Sequence, residues 1–120
     1  IFSKADPKGI ITYVNDKFCE ISEYTQKELI GKPHNLVRHP DESKIIFKNM
    51  WKKLKKHEQW NGLLKNRSKS GKAYYVNTLI VPITNSKDEL VEYISIRQDL
   101  TESIELFHEL ESCLPKCDAR

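Results

Sequence analysis

Apolar residues recur along this chain with two different periods, and the change of period predicts where strands and helices lie. Residues 10–14 are β-branched or aromatic and follow an Asp-Pro-Lys-Gly turn at 6–9, so they predict a strand that pairs in a hairpin with 1–3. After residue 58 the period is two, and it predicts three further strands at 59–66, 74–83 and 90–97. Because short turns separate these three strands, we expect them to form an antiparallel meander.

Helix signals fill the segment between the two groups of strands. Asn15 is a good N-cap for a first short helix. Thr25 and Glu28 make a capping box, which predicts a second short helix from Gln26 to Gly31. Two prolines bracket the following segment, 32–40, and exclude a long helix there.

A longer helix is predicted next, capped by Asp41 and running to about Lys56. Apolar residues at three- and four-residue spacing mark its buried face: Ile46, Phe47, Met50, Trp51 and Leu54. Lysines cover the opposite face, which we interpret as solvated. After the meander, Thr101 caps an exit helix that we expect to end at Pro115.

This order of elements predicts an α+β fold, with a five-stranded antiparallel sheet, helices packed on one face and a C-terminal exit helix. We divide the chain into one domain over 1–101 and an exit helix with its tail over 102–120. The space between the helices and the sheet is a natural ligand cavity.

Composition excludes several classes of function. Lys and Arg total 20 against 17 Asp and Glu, a net charge of +3 that is weaker than nucleic-acid binders usually carry. No apolar run approaches the roughly 20 residues that cross a bilayer, so we expect no membrane contact by this segment. No nucleophile with a matching base and no phosphate-binding glycine loop is present, and we expect no enzymatic activity.

Cysteine usage is typical of a reducing compartment, because the chain has three cysteines and so no even disulfide framework. Cys113 and Cys117 lie four apart with only His108 nearby, and we expect no metal site there. We therefore expect a cytoplasmic protein, or the cytoplasmic part of a membrane-attached receptor. The chain begins at Ile1 rather than Met, which we interpret as a piece of a longer protein.

Three motifs in this order resemble those of the PAS domain family. They are the opening hairpin at 6–15, the Trp-Asn-Gly strand at 60–62 with its Lys-Ser-Gly turn at 69–71, and the Asp-Leu-Thr junction at 99–101. The resemblance spans about residues 1–101. It implies a sensory domain whose output lies in the same chain or in a partner receptor, and a possible homodimer.

A narrower resemblance is to the PAS domains of bacterial aerotaxis and energy-taxis receptors. It rests on the run His-Asn-Leu-Val-Arg-His-Pro-Asp at 34–41, on Phe47, Met50 and Trp51, and on the strand at 60–67. Members of that family bind FAD non-covalently and report its redox state. By position, the resemblance implies six contacts with the cofactor: Asn15, Arg38, His39, Asp41, Trp51 and Asn66.

The chemistry of these side chains agrees with a flavin nucleotide. The guanidinium of Arg38 suits a phosphate or a ring carbonyl, and His39 can donate a hydrogen bond and respond to a nearby change in flavin charge. Trp51 could stack on a ring system, while Asn15 and Asn66 offer both a donor and an acceptor. This chemistry does not separate FAD from FMN, so the preference for FAD comes from the resemblance.

Three other readings compete with a redox-sensing flavoprotein. A light-sensing flavin adduct needs a cysteine in the loop at 34–39, which has none. A haem sensor usually needs an axial histidine on the long helix, and 41–56 contains none. The main alternative is a cofactor-free PAS module for dimerisation or partner docking, which polar residues at inward positions disfavour.

Overall fold

One antiparallel sheet of five strands organises the fold, in the order β2-β1-β5-β4-β3. The computed structural model describes residues 1–118, with side chains described through residue 113. The strands are β1 (Phe2–Ala5), β2 (Ile11–Val14), β3 (Trp60–Arg67), β4 (Ala73–Thr84) and β5 (Leu90–Asp99). The predicted hairpin and the predicted meander therefore share a sheet, joined where β1 pairs with β5.

The helices are α1 (Asp16–Ser22), α2 (Gln26–Leu29), α3 (Lys44–Leu54) and α4 (Thr101–Asp118), with a 3₁₀ turn at His34–Val37. The N-caps predicted for the two short helices are confirmed, whereas Thr101, predicted to cap the exit helix, is the first residue of α4 and its hydroxyl accepts from the Tyr75 backbone. The Asn15 side chain accepts a hydrogen bond from the Phe18 backbone, and Thr25 with Glu28 forms the full capping box. The predicted α+β architecture with an exit helix is likewise confirmed.

Four helix boundaries differ from the sequence prediction. Ser43, not Asp41, is the N-cap of α3, and α3 ends at Leu54 rather than Lys56. The second helix ends at Leu29, two residues before Gly31. The exit helix continues past Pro115 to Asp118, whereas the sequence predicted that it ends at the proline.

The hydrophobic core lies between the helices and one face of the sheet. Met50 and Leu54 of α3 pack on a cluster from the meander that includes Leu64, Val76 and Tyr93. A second cluster joins the first hairpin to the short helices: Ile11, Val14, Phe18, Leu29 and Val37. A cavity is lined by members of both clusters, including Val37 and Met50. No helix of residues 1–118 is long and apolar enough to cross a membrane.

Candidate ligand-binding cavity

A cavity of about 260 Å³ lies between α3, the 3₁₀ turn and the inner face of β3, β4 and β5. Its apolar wall includes Phe47, Met50, Leu64 and Ile80. The volume is slightly below the roughly 300–1,000 Å³ of common small-molecule sites. It therefore suits a ring system, and any longer ligand must continue towards the exposed residues at its mouth.

The charges on this cavity are all of one sign. Lys8, Arg38 and Arg97 line it, while no Asp or Glu does so within the described part of the chain. A cluster of cations without a carboxylate raises the free energy of the ligand-free protein and attracts an anion. The electrostatics therefore favour a ligand that carries negative charge.

Arg38 is the most distinctive of the three cations. It follows the 3₁₀ turn, and its guanidinium carbon lies 3.6 Å from the centre of the Phe47 ring. Its Nε atom is buried and has no hydrogen-bond partner among the described residues. Since an unpaired buried donor is costly, an acceptor brought in by a ligand would stabilise Arg38, once the enclosed Nε atom is uncovered.

Asn66 lies directly beside Arg38. The two residues form a backbone bridge between the loop and strand β3, and Asn66 is only 5% exposed. Burial raises the pKa of the neighbouring Tyr74 hydroxyl to about 12, while the charge of Arg97 and the Asn66 side chain act in the opposite direction. One amide and one guanidinium thus meet at the same wall.

Trp51 closes another side of the cavity. Its ring meets Tyr93 edge-on, with the ring centres 5.8 Å apart. A Cβ placed on Gly9 would lie 3.5 Å from the indole, so the ring packs against the backbone of the first turn. Gly9 has a φ of +84°, which favours glycine at this position. Trp51 thereby joins helix α3 to the hairpin at the mouth.

A cluster of three polar side chains, from segments far apart in sequence, lies at another part of the cavity wall. Arg97 donates from Nη1 to the Ser3 hydroxyl at 3.0 Å, and His34 Nε2 lies 3.4 Å from the same oxygen. Burial, followed by the charge of Arg97, lowers the pKa of His34 to about 3. Burial also lowers the pKa of Arg97 to about 10. At neutral pH the histidine is therefore neutral and the arginine is the cation.

The structure brings three of the six predicted residues together at the cavity, namely Arg38, Trp51 and Asn66. Asn15 instead caps α1 and also accepts from the Phe2 backbone, both at 3.1 Å. His39 and Asp41 form a turn beside the cavity, where the Asp41 backbone donates to His39 Nδ1 at 3.0 Å. A cofactor contact by these last three residues stays a prediction.

Sequence reasoning missed His34, Arg97 and Lys8 as cavity residues. Arg97 had a readable signal, because Tyr93, Ser95 and Arg97 alternate along β5 and point to one face. His34 stands in the His-Asn-Leu-Val-Arg-His-Pro-Asp run, whose pattern gives no sign that this side chain enters the cavity. Within the described residues no group of three His, Cys, Asp or Glu is placed to hold a metal, and the Cys117 side chain lies outside them.

Comparisons with known proteins agree with this fold. Residues 1–102 match the PAS domain family. The chain is 44% identical over 102 residues to the aerotaxis receptor of Escherichia coli K12, covering 85% of this chain and 20% of the receptor. It is 28% identical over 117 residues to a nitrogen fixation regulatory protein of Klebsiella pneumoniae, covering 98% of this chain and 24% of that protein. The chain thus spans a fifth to a quarter of these relatives.

Solved structures of light-oxygen-voltage domains have a similar fold. One, from a study of that domain's mechanism with a flavin analogue, superposes with a TM-score of 0.80 at 20% identity, over 92% of this chain and 85% of that one. An RNA-binding light-oxygen-voltage receptor superposes with a TM-score of 0.83 at 20% identity, over 95% of this chain and 33% of that one. At such identities the likeness concerns the fold. With the family match over most of its length, the chain belongs to the PAS family of sensory domains and is related to the aerotaxis receptor.

Proposed function

We propose that this PAS domain binds FAD in the cavity beneath α3 and reports redox state to a signalling output, as a cytoplasmic module of a chemotaxis receptor or kinase. The observation that carries the proposal is the buried, unpartnered Nε of Arg38, in a cavity lined by three cations and no carboxylate. A ring with carbonyl edges attached to a diphosphate matches that donor set.

The protein's side chains have distinct parts in holding such a ligand. Arg38 would donate from its free N–H, and Asn66 would present its amide beside it. Trp51 and Tyr93 would form an aromatic wall that excludes water from the ring. Lys8, an exposed cation at the mouth, suits a phosphate outside the main cavity.

Two of the comparisons support a flavin in particular. The relative with 44% identity is named for aerotaxis, and a structural neighbour was studied with a flavin analogue. The choice of FAD over FMN rests on the family resemblance. Bound FAD would supply a redox couple whose two forms differ in charge and protonation.

Cavity groups would pass a change of ligand charge to the exit helix through strand β5. Arg97 on β5 faces the cavity, and Asp99 follows two residues later. Asp99 accepts from the Thr101 hydroxyl at 2.6 Å, and that hydroxyl accepts from the Tyr75 backbone at 3.0 Å. A shift of β5 would thereby alter where α4 begins, biasing two arrangements of the output.

The second candidate function is a cofactor-free module for dimerisation or docking. The observation that favours it is exposed apolar surface outside the cavity: Tyr13, Ile96, Leu106, Phe107 and Leu110 are each 46–58% exposed. Such a module would need no ligand at Arg38. A homodimer is compatible with both candidate functions.

The visible absorption spectrum of the purified domain, before and after adding a reductant, tests the proposal. We expect an oxidised flavin spectrum that bleaches, with FAD released on denaturation. Trp51→Ala should lower flavin occupancy while the fold survives, because it removes the aromatic wall. Lys48→Ala, on the exposed face of the same helix, is the matched control. A domain that stays colourless after incubation with FAD would refute the proposal and favour the docking module.

A further inference from the structure

Strand β3 is an edge of the sheet, and one of its residues turns both backbone groups towards a loop. β3 lies at the end of the strand order and pairs only with β4. The carbonyl of Lys65 accepts from the His39 backbone at 3.4 Å, and the N–H of Lys65 donates to a carboxylate oxygen of Glu42 at 2.6 Å. At Lys65 the free edge is thus occupied by the segment 39–42 rather than by another strand.

Glu42 makes the shorter of these two bonds, and its other groups are also used. Its second carboxylate oxygen accepts from the Ser43 backbone at 3.0 Å, and its own N–H donates to the His39 carbonyl at 3.0 Å. No cation pairs with Glu42 among the described residues, so its charge is directed at backbone donors. Hydrogen bonds to a charged acceptor are roughly twice as strong as neutral ones.

This bond connects the two elements that carry polar groups into the cavity. Lys65 lies between Leu64 and Asn66, which both line the cavity. The loop that Glu42 closes begins at Arg38, which bridges to Asn66 through the backbone. The register between Arg38 and Asn66 is therefore held by the backbone bridge, which includes the weak His39–Lys65 bond, and by the Glu42 carboxylate.

We propose that Glu42 is a positioning residue, which holds the loop bearing Arg38 in register with the strand bearing Asn66. Glu42 does not line the cavity and touches no ligand itself. Its effect on a ligand rests on the proposed function, whereas its effect on the loop does not. Nothing in the sequence pattern singles Glu42 out, since its partner is 23 positions away.

Two variants of the domain test this role. Glu42→Ala removes both acceptors, while Glu42→Gln keeps one oxygen for the Lys65 N–H. In the flavin-free domain, we expect Glu42→Ala to speed amide exchange at Lys65 by roughly tenfold or more, measured by NMR, and Glu42→Gln to restore most of the protection. In the flavin-loaded domain, we expect the flavin dissociation rate to rise roughly tenfold in Glu42→Ala and much less in Glu42→Gln.

Two controls separate positioning from general loss of stability. Glu58→Ala removes an exposed carboxylate beyond the other end of α3 and should change neither rate. Thr25→Ala removes the cap of α2, away from the cavity, and should destabilise the domain without speeding flavin release.

The outcomes are distinct. Unchanged Lys65 exchange in Glu42→Ala overturns the proposal. If Lys65 exchange is faster in Glu42→Ala but the flavin dissociation rate is unchanged, the positioning role is overturned. The same holds if the flavin dissociation rate rises equally in Thr25→Ala. In either case the Glu42–Lys65 bond only stabilises the loop. A wild-type domain that binds no FAD refutes the proposed function and the predicted effect of Glu42 on flavin release. The exchange rate of Lys65 alone then decides whether Glu42 holds the loop in register.

Discussion

Replacing Asn15 by alanine should reveal whether this residue acts through the fold or through a ligand. Its Oδ1 accepts from two backbone donors, Phe18 N and Phe2 N, each at 3.1 Å. Loss of an N-cap costs about 0.5–2 kcal/mol. The partly buried Phe2 N–H also loses its acceptor, which costs about 1 kcal/mol at the low end for an unsatisfied group. We therefore expect Asn15→Ala to lower the free energy of unfolding by about 2–3 kcal/mol, and the Tm by roughly 10 °C.

Urea denaturation of the flavin-free domain measures this loss. Asn15→Asp is the matched control, because a carboxylate oxygen still caps the helix and its charge suits a helix N-terminus. It should remain within about 0.5 kcal/mol of wild type. Repeating the titration with excess FAD separates ligand contacts, since a ligand adds stability that rises with the logarithm of its affinity. If Asn15→Ala matches wild type without FAD and loses stability only with it, the capping argument is wrong and Asn15 is a ligand contact.

The other predictions concern pH, packing and the exit helix. The folded-state pKa of His34, about 3, lies below its unfolded value of 6.5, so the unfolded chain binds the extra proton and stability falls as pH drops from 6.5 towards 3. His34→Gln should make the urea midpoint less sensitive to acid between pH 7 and 5, and equal sensitivity would contradict the neutral buried imidazole. Gly62→Ala should lower the free energy of unfolding by roughly 1–3 kcal/mol and shift the tryptophan fluorescence, because a Cβ there would lie 2.5 Å from the Trp60 ring. An unshifted spectrum together with native stability would contradict this close packing. Thr101→Val should speed amide exchange in the first turns of α4, while Thr101→Ser keeps the hydroxyl and should not; equal exchange in both would show that the hydroxyl does not hold this junction.

Sequence patterns predicted the elements well because each depends on neighbours in the chain. Alternation located the strands, and the caps at Asn15 and Thr25 use donors within three residues. The cap of α3 was assigned to Asp41 although Ser43 fills it. Both residue types cap helices, and the choice is tied to the loop's attachment to Lys65, which no local pattern shows.

Only half of the predicted ligand contacts line the cavity, because contacts between segments far apart in sequence decide which side chains point into it. Arg38, Trp51 and Asn66 come from motifs that the resemblance supplied, and they do line the cavity. Arg97 has a strand register that points inward, yet an arginine in an alternating strand is ordinarily assigned to the solvent face. Its position beside Ser3 depends on β1 pairing with β5 across 94 positions of sequence.

The placement of β1 between β2 and β5 has a consequence for how the chain folds during synthesis. Phe2 pairs with Ile96, so the first strand emerges from the ribosome long before its central neighbour exists. Until β5 is translated, one side of the β1–β2 hairpin is an open edge, and an isolated hairpin is only marginally stable. Contacts of such long sequence separation slow folding. We therefore expect nascent chains that stop before Leu90 to be sensitive to proteases. The sheet should form completely only in a late step, when β5 pairs with both β1 and β4.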